Sequence, residues 1–203
     1  MKDEKQMPKE VVIIGAGGHG RVVADIVKSS GDIVFGFLDD AKTSNAALLG
    51  KVDDCVKYKD KYFIIAIGNN AIRRTIAEKY EDLNYYTAIH PSAVTGADTE
   101  ISEGTCLMPY SVINSGAVVG KHCIINTHST VEHDCKIDDF VHVSPGAVLC
   151  GTVSVGANTH IGAGAVVKNN LNICENVTVG IGGAVVKSID TPGIYVGVPA
   201  RQK

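Results

Sequence analysis

The stretch ISEGTCLMPYSVINSGAVVGKHCIINTHSTVEHDCKIDDFVHVSPGAVL (101–149) carries Ile, Leu or Val at every sixth residue, from Ile101, Leu107 and Ile113 to Val143 and Leu149. The register continues without a miss through Val155, Ile161, Val167, Ile173 and Val179 to Val185. Four places after each aliphatic the residue is usually small or modest, as at Thr105, Ser111, Ala117, Cys123, Ser129 and Ala147. A six-residue period is that of a parallel β-helix built from stacked coils. If three hexapeptides make one triangular coil, residues eighteen apart lie directly above one another. With the aliphatic as position one, positions three and four sit at or near the corners, where side chains can face outward. From the imperfect first coil IHPSAVTGADTE (89–100) to Asp190 there is room for roughly five and a half coils. A Gly/Pro-punctuated tail, TPGIYVGVPARQK (191–203), follows.

Residues 1–86 read differently. VVIIG (11–15) is a short apolar run ending in glycine, the pattern of a buried parallel strand. GAGGHG (15–20) follows, and then Val22, Val23, Ile26 and Val27 form a helical stripe closed by Gly31. IVFGFLDD (33–40) is a second strand ending in acids. After a polar stretch, YFIIAIGNN (62–70) is a third, followed by a helix from Ala71 to about Tyr80. This is an α/β nucleotide-binding unit, too short for both halves of a dinucleotide fold. The boundary lies near Tyr86–Ile89, so 1–86 form a nucleotide-sugar-binding domain and 87–203 the β-helix with its tail.

The chain has 203 residues and a formal net charge of -3, with no block of Lys or Arg, which argues against nucleic acid as the main partner. No apolar stretch approaches the length of a membrane span, and MKDEKQMPKE is no signal peptide. The expected location is cytoplasmic. The six cysteines include no CxxC pair, and Cys123 and Cys135 fall on the small inward register, so they read as buried thiols.

Gly15, Gly17 and Gly20 satisfy G-x-G-x-x-G between a strand and a helix, and Asp39 and Asp40 follow at the end of the second strand. By itself this suggests a dinucleotide and an NAD-dependent oxidoreductase. Loop physics supports only a phosphate or pyrophosphate on exposed N–H groups at a helix N-terminus. A nucleotide-sugar offers the same base, ribose and pyrophosphate. The small domain and His19 inside the loop favour that ligand.

Of the seven histidines, His133 is at position three, His122 and His128 at position four, and His142 and His160 stack at position six. His128 and His133 have the spacing of the zinc-binding pair of γ-class carbonic anhydrases. The third ligand position of that site is Ser92, however, and no metal is expected. His133 is the candidate catalytic base, because V-E-H-D supplies a carboxylate to orient it, with Asp134 favoured over Glu132. Eighteen residues on stands Gly151, whose bare backbone lets a ligand approach and whose N–H can meet an oxyanion.

Across GAGGHG (15–20), FLDD (37–40), AIGNNAIRR (66–74), MPYSVIN (108–114), INTHSTVEHDC (125–135), HVSPGAVLCG (142–151) and YVGVPAR (195–201), the chain resembles a bacterial family of sugar acetyltransferases. These are left-handed parallel β-helix enzymes of hexapeptide repeats with an N-terminal nucleotide-sugar domain. They include the UDP-4-amino-sugar N-acetyltransferase of the bacillosamine pathway and the sialic acid O-acetyltransferase-like group. The resemblance implies a homotrimer with active sites between subunits, acetyl-CoA as donor and no metal. It implies N-acetylation of the C4 amine of a nucleotide-linked, UDP-type 4-amino-4,6-dideoxy sugar, with O-acetylation of a sialic acid as the alternative. It further implies His133 as general base, Asp134 as its orienter and the Gly151 amide on the thioester carbonyl. Asn126 would lie near the acceptor amine and His142 near the acetyl end. Gly17, Gly18, His19, Gly20, Asp39, Asp40, Gly68 and Asn69 would hold the nucleotide, and Gly162, Ala163, Gly180 and Pro199 would line the CoA groove. His128 departs from the family pattern, where a small polar residue is expected.

Overall fold

The computed structural model describes residues 7–41 and 47–203. Residues 1–6 of the amino-terminal stretch read above lie outside them.

The first unit comprises β1 (Glu10–Ile14), α1 (Gly18–Ser29), β2 (Ile33–Leu38), β3 (Leu48–Gly50), β4 (Tyr62–Ile65), α2 (Asn70–Lys79) and β5 (Asn84–Tyr85). The polar stretch between β2 and β4, which has no clear period, also holds a 3-10 helix at Val52–Tyr58. The sheet order is β3-β2-β1-β4-β5, and every pairing is parallel. Val11 to Ile14 of the central β1 are fully buried, as a strand covered on both faces must be. Val11 and Ile13 pack with Val23, Ile26 and Val27 of α1, while Val12 and Ile14 pack with Cys55, Phe63 and Ala77. Strand order reverses between β1 and β4, so the loops leaving these strands, 15–17 and 66–69, share one end of the sheet, where ligands of open α/β sheets bind.

The second unit is a three-sided parallel β-helix whose faces are sheets of eight, six and five strands. On the first face Ile124, His142 and His160 stack in register, on the second Thr130, Val148 and Val166, and on the third Lys136, Ser154 and Asn172. We call these the docked, valine and polar faces. Position-one residues from Leu107 to Val185 are at most 3 % exposed and fill the interior. At position five, the buried hydroxyls of Thr105, Ser111, Ser129 and Thr159 each donate to a backbone carbonyl, so none is left unpaired.

The corners follow one rule. Every position-four residue from Asp98 to Gly182 has positive φ, including His128 (55°), Asp134 (59°) and Thr152 (62°). This conformation aims the position-four N–H along the helix axis, onto the position-three carbonyl of the coil before: Asp134 to Ser115 at 3.1 Å, Thr152 to His133 at 2.9 Å, Gly146 to Thr127 at 3.0 Å. Position-three N–H groups are left out of this ladder.

The two units are clamped by Arg73, which is fully buried. Its guanidinium donates to the carbonyls of His122 (2.7 Å) and Phe140 (2.9 Å) on the β-helix, and to Ile67 O and Asn70 Oδ1 (each 2.9 Å) on its own side. Asn70 Nδ2 reaches across to Thr159 O at 3.0 Å. His122 is wedged at the same seam, edge-on to Tyr85 and stacked on Phe140. Burial pushes the Arg73 pKa down to about 10, so the group stays charged at neutral pH, held by carbonyl dipoles. All six cysteines are free thiols. Among the described residues, no helix is long and apolar enough to cross a membrane.

Candidate active site

His133 and Asp134 occupy positions three and four of the corner between the valine and polar faces. The left-handed conformation at Asp134 swings its carboxylate back onto its neighbour, and His133 Nδ1 lies 2.8 Å from Asp134 Oδ2. A carboxylate only accepts, so Nδ1 carries a proton and Nε2 is the nitrogen left to exchange one. That nitrogen has no hydrogen-bond partner among the described residues. It points at Gly151, where an added Cβ would sit 2.5 Å from Nε2. The Gly151 N–H, at position three, also has no partner among the described residues. A free base and a free amide donor therefore stand one coil apart on one corner.

A second cluster lies where the docked face meets the first unit. A groove of about 540 Å³ is lined by Gly68, Asn69 and Asn70 on one side and His142, His160 and Thr178 on the other. His142 Nδ1 donates to Gly68 O at 3.3 Å, and its Nε2 accepts from Asn126 Nδ2 at 3.0 Å. The ring stacks on His160 at 4.7 Å between centroids, and His160 Nε2 meets Ser144 Oγ at 2.7 Å. Burial, then the proximity of His160 and Arg73, pushes the His142 pKa down to about 3, so it is neutral throughout the physiological range.

The glycine loop opens toward the same end of the sheet. A Cβ at Gly20 would fall 1.9 Å from Gly15 O, so this pair serves the tight strand-to-helix turn. Gly17 and Gly68 face open space, and a Cβ at Gly18 would meet only the Arg21 guanidinium, at 4.0 Å. The α1 N-terminus has no side-chain cap, and its first amides are available to an anion. His19 is largely buried, with Nε2 unpartnered, and burial together with Arg73 lowers its pKa to about 4. The Asp39 oxygens accept from Ala16 N (2.7 Å), which holds the glycine loop in place, and from Ala41 N (2.8 Å). Asp40 is exposed and, among the described residues, accepts only from Val52 N, at 3.0 Å.

Gly162, Ala163 and Gly180 lie on the corner between the docked and valine faces, in the upper coils, with the exposed Pro199 in the tail beyond. Within one chain, then, the site residues fall into two separated sets. His133, Asp134 and Gly151 occupy one corner; the glycine loop, Gly68, Asn69, Asn126, His142 and the upper glycines lie on and beside the docked face. His128 and His133 sit on different corners, and among the described residues no group of three His, Cys, Asp or Glu is placed to hold a metal. Sequence reasoning missed Asn70 and Arg73. Their signal was the buried stripe Asn70, Arg73 and Ala77 on α2, polar where a core stripe is apolar.

Two family models match the chain: the PglD N-terminal domain over residues 10–80, and the bacterial transferase hexapeptide repeats over 98–133 and 134–169. GDP-perosamine N-acetyltransferase of Escherichia coli O157:H7 is 32% identical over 159 residues, 72% of each chain. UDP-N-acetylbacillosamine N-acetyltransferase of Bacillus subtilis (strain 168) is 38% identical over 112 residues, 49% of this chain and 51% of that protein. A variant of perosamine N-acetyltransferase from Caulobacter crescentus, solved in complex with CoA and GDP-perosamine, superposes with a TM-score of 0.92 at 32% identity over 96% of both chains. With its βαβ unit, its hexapeptide coils and these relatives, the chain belongs to the left-handed β-helix sugar N-acetyltransferases that carry a PglD-type N-terminal domain.

Proposed function

We propose that the protein transfers an acetyl group from acetyl-CoA directly to the C4 amine of a nucleotide-linked 4-amino-4,6-dideoxy sugar, with UDP as the nucleotide and His133 as general base. The observation that carries this reading is His133 Nε2, unpartnered and aimed at bare Gly151 while Asp134 holds the other nitrogen. As the amine attacks the thioester carbonyl, His133 Nε2 takes its proton and the Gly151 N–H meets the carbonyl oxygen as it gains charge. When the C–S bond breaks, His133 hands the proton to sulfur. A positioned base contributes about 10²–10⁴-fold and one oxyanion donor about 10²–10³.

The glycine loop, His19, Asp40, Gly68 and Asn69 hold the nucleotide, with Asp39 keeping the loop in shape. Asn126 and His142 meet the acceptor and the acetyl end, and Gly162, Ala163, Gly180 and Pro199 line the donor groove. These groups reach His133 only if a neighbouring chain supplies them, which is the reason for proposing a homotrimer. The valine face supports it: Val94, Val112, Val148, Val166 and Ala184 form a largely apolar row, interrupted by Thr130 between Val112 and Val148, with Val94 and Val166 56% and 43% exposed.

The test is acetyl-CoA consumption with UDP-, dTDP- and GDP-linked 4-amino sugars and free sialic acid. The reading expects turnover with a 4-amino sugar, fastest as the UDP form. Faster turnover of the GDP form overturns the base assignment, and turnover of sialic acid alone overturns the acceptor.

A further inference from the structure

The corner between the docked and valine faces carries, at position four of successive coils, Tyr110, His128, Gly146, Gly164 and Gly182. The upper three are bare: a Cβ at any of them would meet nothing within 4 Å. The lower two carry rings, and these stack on each other with centroids 5.1 Å apart and planes 12° from parallel. Both rings are exposed, Tyr110 by 59%, and neither the Tyr110 hydroxyl nor the His128 ring nitrogens have a partner among the described residues. Residues with a Cβ are held here at a cost of about 1 kcal/mol or more in the left-handed region. One ring face of His128 covers Tyr110; the other looks up the glycine track.

The track also has a polarity. Beside it, at position three, stand Pro109, Thr127, Pro145, Ala163 and Ile181. The prolines have no N–H, and the Thr127 amide is spent on Asn126 Oδ1 at 2.8 Å. Only Ala163 and Ile181, in the two upper coils, offer free amides among the described residues. An amide-bearing arm therefore finds its hydrogen bonds at the top of the column, and its apolar end lies at Pro145 and Gly146. Gly146 and Gly151 belong to the same coil. A threefold axis parallel to the β-helix keeps the same residue of each subunit at one height, and the five residues from Gly146 to Gly151 climb only about 1.3 Å of the roughly 4.8 Å coil rise, so the thioester set by Gly151 sits nearly level with Gly146. The next step down, about 4.8 Å away, is filled by His128.

We infer that the stacked Tyr110–His128 pair is a stop for the acyl chain of the donor: it admits an acetyl group and rejects longer acyl-CoA thioesters. This rests on the acetyl-transfer reading above and names the group that sets its donor specificity. His128 acts by occupying space, and Tyr110 acts by bracing it from below.

The experiment compares kcat/KM for acetyl-, propionyl- and butyryl-CoA, at fixed acceptor, in the full chain and in His128→Gly and His128→Asn. Both replacements suit a positive φ, so the corner keeps its conformation. Each methylene a pocket rejects is worth about tenfold or more, so His128→Gly is expected to shift the acetyl-to-butyryl ratio by at least about tenfold toward butyryl-CoA. Asparagine, smaller than the imidazole, gives an intermediate shift. A ratio unchanged within about twofold in both variants overturns the inference. So does a change confined to acceptor KM, which would put His128 in the acceptor pocket. If the unaltered chain transfers no acetyl group at all, the reaction assigned above has failed instead. Calorimetric binding of acetyl- against butyryl-CoA then still reads the stop: equal affinities in the unaltered chain and the Gly variant overturn it.

Discussion

His133 Nε2 lies against Gly151, eighteen residues and one coil away, with 2.5 Å between that nitrogen and the place a Cβ would occupy. The contact exists because position three of one coil stacks on position three of the next. Gly151→Ala therefore drives a methyl group into the imidazole. We expect kcat to fall about 10²-fold or more, with far-ultraviolet circular dichroism and Tm close to those of the unaltered chain. His133→Ala is expected to cost about 10²–10⁴-fold. A His133→Ala protein with near-normal turnover would end the assignment of this residue as base.

If the two halves of the site come from neighbouring chains, two different lesions should compensate. Gly17 faces open space, so Gly17→Glu places a carboxylate where a pyrophosphate would lie without disturbing the core. His133→Ala and Gly17→Glu are each expected to be nearly inactive alone. Co-expressed, they should regain roughly a quarter of normal activity, the share of random pairings with both halves intact. No recovery, with mixed oligomers demonstrated by mass spectrometry, places both halves of the site in one chain.

Arg73 joins the two units through His122 O and Phe140 O on one side and Ile67 O and Asn70 Oδ1 on the other. Arg73→Ala leaves these acceptors buried and unpaired, at a cost of about 3 kcal/mol or more. Arg73→Lys recovers little, because one ammonium cannot reach four acceptors spread over a planar fork. Urea unfolding is expected to move to lower midpoint and to split into two transitions as the units undock. A single unshifted transition would show that the clamp contributes nothing.

Burial lowers the pKa of four histidines, His160 among them, and of three by a wide margin. His19 and His122 are lowered from 6.5 to about 4, and His142 to about 3. The unfolded chain takes up these protons as pH falls through 6.5, while the folded chain refuses them until near 4. Stability is therefore complete above pH 6.5 and declines as pH drops toward 4, by up to about 1.4 kcal/mol per pH unit for each group. Tm should fall steeply between pH 6.5 and 4.5. His122→Phe keeps the packing against Tyr85 and Phe140 and should flatten the slope by one group's share. A Tm constant from pH 7 to 5 contradicts this account.

Much of the β-helix can be read from the chain because its geometry is periodic. A six-residue repeat leaves no choice about which side chains point inward, and the eighteen-residue coil carries His133 to Gly151 and His142 to His160 by counting alone. The strand–glycine–helix signature of β1 and α1 is equally local. Asp39 shows where counting stops. Its place after a strand marks it as a ligand group, but nothing in the spacing tells that one of its oxygens also accepts from Ala16 N in the glycine loop and the other from Ala41 N in its own turn.

The composition of the site was a matter for the tertiary structure. Nothing in the spacing of Asn70 and Arg73 announces that they dock α2 onto coils some fifty to ninety residues away, because such contacts follow from how two units with different periods meet. The same holds for the separation of His133 from Asn126 and His142. A hexapeptide count assigns each residue to a corner, but only the stacked prism shows that His133 and the groove beside His142 face different ways. Local propensity and repeat length set the scaffold; the join between βαβ unit and prism, a long-range packing of apolar and hydrogen-bonded surfaces, set the chemistry it can assemble.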